Sequence, residues 1–64
     1  MTYEIRYGTP NHCKAIETND YFQAHRMFKK IQKFMTNHNL KWTVALWQNT
    51  DRGGLWLVRS FKLK

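Results

Sequence analysis

Between Tyr21 and Thr36 the apolar residues recur every three or four positions, whereas in the flanking segments they alternate. Tyr21, Ala24, Met27, Phe28, Ile31, Phe34 and Met35 fall on one stripe of a 3.6-residue helix, and Arg26, Lys29, Lys30 and Lys33 on the opposite side. An amphipathic helix must bury its stripe against another layer. Here the only other segments with a regular pattern read as strands, which confines the chain to two-layer α+β folds.

The helix carries its own punctuation. Thr18, Asn19 and Asp20 can each accept a backbone N–H at its start, and Asp20 with Gln23 fits a capping box. Asn37 or Asn39 can take the left-handed conformation that ends it. Lys29, Lys30 and Lys33 lie toward the C-terminus, where the macrodipole favours cations.

Before the helix, Tyr3, Ile5 and Tyr7 alternate with Thr2, Glu4 and Arg6, which is the pattern of a half-buried strand. Gly8-Thr9-Pro10-Asn11 supplies a turn with Pro10 at its second position. His12 to Glu17 returns as a second strand, with Cys13 and Ala15 or else Ile16 facing inward.

After the helix, Lys41–Gln48 and Leu55–Lys64 are rich in Trp, Val, Leu and Phe and flank a turn at 49–54. Pairing Gln48 with Leu55 sets Trp42 opposite Phe61, Val44 opposite Arg59 and Leu46 opposite Leu57 on the helix-facing side. The other side pairs Trp47 with Trp56, Ala45 with Val58, Thr43 with Ser60 and Lys41 with Lys62. Arg59 is the misfit of the inner face, expected near the sheet edge or paired with Glu17 or Asp20. The architecture is ββαββ, a four-stranded antiparallel sheet with one helix across one face, in a single domain over residues 1–64. It becomes βαββ if residues 12–17 stay irregular.

Bulk properties narrow the class of function. A chain of 64 residues buries only about 60% of its extended surface, so it has little stability to spare. With 42% hydrophobic and 16% aromatic residues it nonetheless folds and does not stay disordered. Cys13 is the one cysteine, so no internal disulfide can form, and a reducing, cytoplasmic setting is expected. No basic-then-apolar leader and no apolar run of membrane-spanning length occurs, and the apolar stripe of the helix is better explained as core than as an attachment to an anionic membrane, so no membrane partner is expected. Eleven Lys and Arg stand against Glu4, Glu17, Asp20 and Asp51, a net charge of +7. That excess favours polyanionic or acidic partners.

Catalysis is not expected. The four carboxylates are scattered over a strand, a helix start and a turn, with no pairing for acid–base work. His12 and Cys13 are adjacent, and neighbours on a strand point to opposite faces, so they cannot form a nucleophile–base pair. His12, His25, His38 and Cys13 lack metal-ligand spacing, and Gly53-Gly54 is accounted for by a hairpin turn. No metal and no cofactor is expected.

Two surfaces remain as candidates for binding. The first is the outer helix face of Arg26, Lys29, Lys30 and Lys33, which can follow a phosphate backbone and has no acidic member. The second is the open sheet face, where Trp47, Trp56, Val58 and Ala45 are flanked by Lys41, Lys62 and Lys64. Aromatics rimmed by lysines suit stacking on unpaired bases, and tryptophans equally suit a protein interface. Two copies packing sheet to sheet through Trp47, Trp56 and Val58 would form a homodimer with both basic helices outward.

Nucleic-acid binding is the leading expectation. The alternative is a compact protein that docks on an acidic partner, with the lysines steering and the tryptophans as anchors. In brevity and aromatic density the chain resembles small phage proteins that bind and inhibit or modulate host proteins.

Overall fold

The computed structural model describes residues 1–63. The chain forms β1 (Thr2–Thr9), β2 (His12–Thr18), α1 (Tyr21–Asn37), β3 (Thr43–Asn49) and β4 (Leu55–Lys62). One antiparallel sheet has the strand order β2-β1-β3-β4. The ββαββ expectation holds, and the βαββ alternative falls because residues 12–18 form a full strand paired to β1. Lys64, the expected last residue of the final strand, lies outside the described residues.

The alternation in β1 sets the two faces. Ile5, fully buried, stands between Ile16 and Leu46, while Tyr3 and Tyr7 flank it on the helix side. In β2 the helix side takes His12, Lys14 and Ile16, and the open side takes Cys13, Ala15 and Glu17. The first hairpin turns at Pro10-Asn11, with Thr9 opposite His12. Proline cannot take the positive φ of a primed hairpin turn. The left-handed strain falls instead on Gly8, just outside the turn, at φ +125°.

Asp20 caps the helix as expected: its carboxylate accepts from the N–H of Phe22 at 2.9 Å and of Gln23 at 3.4 Å. The reciprocal half of a capping box is not made. The Gln23 side chain meets the Thr18 hydroxyl at 2.9 Å, and that hydroxyl accepts from the Asp20 N–H at 3.3 Å. At the other end Asn39 takes the left-handed conformation, φ 52°. The Leu40 N–H reaches Met35 O at 2.9 Å and the Asn39 N–H reaches Thr36 O at 3.3 Å, the two bonds of a Schellman motif. The final turn contains no cation, so the macrodipole adds little to the lysines, which end at Lys33.

The core is Ile5, Ala24, Phe28, Met35, Val44 and Leu46, all at 0% exposure. Of the helical stripe, Ala24, Phe28 and Met35 are buried, Met27 and Ile31 half-buried, and Tyr21 and Phe34 exposed on its flanks. The helix packs on β1 and β3 and leans toward β2, leaving β4 largely uncovered. The accessible surface of 4958 Å² exceeds the roughly 4,400 Å² usual for a chain of this mass. The second layer is therefore incomplete.

The second hairpin departs from its expected register. Its loop closes through the Thr50 N–H on Gly54 O at 2.9 Å and the Gly53 N–H on Thr50 O at 3.1 Å. Gly53 takes φ +80°, as in a type I turn followed by a left-handed residue. That loop pairs Leu55 with Asn49, not Gln48, and the one-residue slip reverses the faces of the residues that follow. Trp47 therefore meets Leu57, and Trp56 meets Gln48 on the helix side. A bulge between Leu46 and Trp47, with Val58 as the extra residue, then slips the register again. Arg59 and Phe61 thereby recover the helix side, opposite Leu46 and Val44.

Candidate functional site

The outer face of α1 combines exposure with one sign of charge. Arg26, Lys29, Lys30 and Lys33 are all exposed, and residues 21–37 include no Asp or Glu. Among the described residues, carboxylates pair with cations twice: Arg6 with Glu4 at 2.6 Å, and the Met1 nitrogen with Asp51 at 3.3 Å. Among the described residues the helix cations have no carboxylate partner. Lys29 and Lys33 border a shallow hollow of about 390 Å³ on the surface of α1, lined also by Gln32, Thr36 and Asn37. An ordinary solvated helix mixes signs to gain i,i+4 pairs, and this one does not.

The fold also sorts the carboxylates. Glu4 and Glu17 face each other across β1 and β2, Asp20 caps the helix start, and Asp51 sits in the β3–β4 turn. All four lie in the half of the molecule that holds the helix N-terminus. Lys14, Lys41 and Lys62, with the Lys29–Lys33 half of α1, occupy the other half.

The second expected surface is not assembled as the sequence suggested. Trp47 lies on the open side, half-buried, and Trp56 on the helix side at 65% exposure, so the two do not stack across the strands. Their separation follows from the slip at Asn49–Leu55. Val58, the bulged residue, is exposed. Trp47 instead receives the Arg6 guanidinium, 5.7 Å from the ring centroid. Glu4 holds the other side of Arg6 by a hydrogen bond and by its charge, raising the guanidinium pKa above its ordinary value. Lys62 is opposite Thr43 on this same side, and Lys41 is exposed just ahead of β3.

What does form is an apolar edge. Leu55, Trp56, Leu57 and Val58 are consecutive and exposed along β4, the outermost strand. Arg59 lies on that edge strand, as expected, but meets neither Glu17 nor Asp20. Its guanidinium lies 5.6 Å from the centroid of Phe28, and Nη1 donates to His25 Nε2 at 3.2 Å. His25 is thus turned toward β4 and is no part of the outward cationic stripe.

His12 and Cys13 point to opposite sides of β2, and Cys13 is exposed on the open side, so Ile16 and not Cys13 with Ala15 faces inward. Among the described residues no three His, Cys, Asp or Glu side chains gather as a metal site would require. No described helix is long and apolar enough to cross a membrane. Comparison with protein-family models, curated proteins and solved structures finds no match.

Proposed function

We propose that this protein is a non-catalytic, intracellular nucleic-acid-binding module whose main contact is the outer face of α1. The observation that carries the reading is the run of exposed cations Arg26, Lys29, Lys30 and Lys33 on a helix with no acidic residue and no carboxylate partner among the described residues. Such a run can follow a phosphate backbone, releasing condensed counterions at each contact. Lys41 adds to the cations at the far end of α1, and on the open side Lys62 and the Arg6 guanidinium over Trp47 carry further positive charge.

Salt dependence tests the reading. Replacing Lys29, Lys30 and Lys33 by Gln should weaken duplex binding and flatten the slope of log K against log salt by roughly 3 units, about 0.9 for each phosphate no longer neutralised. An unchanged slope would remove the helix face from the interface.

A second reading is favoured by the exposed run Leu55–Val58 on β4. An apolar edge strand can pair with a strand of another chain, and Trp56 is the residue type that anchors protein interfaces. On this reading the protein docks on a host protein and inhibits or modulates it, as the small phage proteins it resembles do, or pairs with a second copy of itself.

A further inference from the structure

Tyr7, Lys14, Lys30 and Trp42 come from four different segments of the chain and meet along one side of α1. β2 is an edge strand, and although the helix leans toward it, His12 and Lys14 on its inner side stay exposed and Ile16 is only half-buried. Between them runs a groove of about 520 Å³ with a floor of Ile16, Met27 and Ile31. It adjoins a second hollow of about 340 Å³ that shares Tyr7, Lys14 and Trp42 and is also lined by His12. Small-molecule sites in general fall in the same range of about 300–1,000 Å³.

The walls are aromatic. Trp42 is half-buried, with Tyr7 and Phe34 each 6.2 Å away between ring centroids, and Phe34 is 49% exposed. Lys14 and Lys30 border the groove from β2 and from α1, and neither has a carboxylate partner among the described residues. Two ammonium groups beside one apolar groove complement an anion attached to an apolar, planar body. A nucleotide is such a body: its base stacks on aromatic rings and its phosphate meets lysine. Bases inside a duplex are already stacked and paired, so only an unpaired base can enter.

We infer that the groove between β2 and α1 receives an unpaired nucleobase of a single strand, with the adjoining phosphate on Lys14 and Lys30. The inference rests on the nucleic-acid reading above and adds to it a preference for single strands. A free mononucleotide offers the same base and phosphate but cannot also reach Lys29 and Lys33, so the strand binds more tightly.

Fluorescence anisotropy with labelled 12-residue oligothymidylate and a 12-base-pair duplex separates the possibilities. Lys14→Gln with Phe34→Ala changes two exposed side chains, and circular dichroism checks that the fold persists. Lys14→Gln alone, on the edge strand, serves if the pair does not fold. The double variant should weaken oligothymidylate binding about tenfold or more and duplex binding less than about threefold. Lys29→Gln with Lys33→Gln should weaken both. Equal loss on both probes, or no loss on either, would overturn the groove assignment while leaving the helix face intact. Thymidine monophosphate competing as well as the strand would also overturn it. Wild-type protein that binds neither probe at low salt would overturn the parent reading and this one together.

Discussion

Gly8 and Gly53 both take positive φ, yet their surroundings differ enough to separate strain from space. A Cβ on Gly53 would meet nothing within 4 Å, whereas one on Gly8 would come within 2.2 Å of the His12 carbonyl oxygen. Gly53→Ala should therefore cost only the left-handed backbone penalty, about 1 kcal/mol. Gly8→Ala adds a clash with backbone that cannot step aside, and should cost about 3 kcal/mol or more. Thermal unfolding checks the pair. With about 4–8 °C per kcal/mol in a domain this small, Gly53→Ala should melt several degrees lower and Gly8→Ala should be barely folded. Equal shifts would mean that the first hairpin rearranges around the new methyl. At this scale the sequence was partly readable. Pro10 and the Gly53-Gly54 pair announced turns, but that Gly8 would carry the strain of the first one depends on the strands that Pro10 joins. Arg59 was likewise recognisable as a misfit, while its partner was not. A guanidinium over Phe28, bonded to His25, requires the helix and β4 to be placed first.

Among the elements, α1 was the most legible, because period, cap and stop all agree on one helix. The Schellman bonds at Met35 and Thr36 are what the Asn37–Asn39 signal stood for. The second hairpin was the least legible. A single residue of loop geometry, pairing Asn49 rather than Gln48 with Leu55, moves Trp56 to the helix side and Leu57 to the open side. Nothing in the alternation of β4 shows this, since Leu55, Trp56, Leu57 and Val58 are apolar in every register. The bulge then restores Arg59 and Phe61 to the expected helix side, but opposite Leu46 and Val44 and not opposite Val44 and Trp42 as simple alternation predicts. The consequence is an edge strand with large apolar groups on both sides. Arg59, Lys62 and the bulge at Val58 are the devices on it that discourage pairing with another chain. If β4 is nonetheless an association edge, sedimentation equilibrium should show concentration-dependent self-association of the wild type. Leu57→Lys should then weaken it about tenfold or more, the scale of one large apolar side chain kept in water. A wild type that stays monomeric at millimolar concentration would leave β4 without that role.

Over the whole molecule the decisive property is where charge sits, not how much there is. The net charge of +7 can be counted in the sequence, but its polarity cannot. Antiparallel pairing of β1 with β2 sets Glu4 beside Glu17. The chain direction then carries Asp20 and Asp51 to that same half and leaves Lys29, Lys30 and Lys33 in the other. The fold is 37 Å long, several times the Debye length of about 8 Å at physiological salt. A ligand at the helix face therefore feels the nearby lysines and little of the far end. Arg52, in the turn beside Asp51, and Lys33, on α1, make a matched test, because Arg52→Gln and Lys33→Gln each lower the net charge from +7 by one. Attraction governed by total charge would weaken oligonucleotide binding equally in the two variants. Attraction governed by local contact predicts that Lys33→Gln flattens the duplex salt slope by about 0.9 and Arg52→Gln leaves it unchanged. Titrations of both variants from low to physiological salt decide between the two. Equal slopes would show that the segregation of charge along the fold has no part in binding, and the helix face would lose its standing over any other cationic part of the surface.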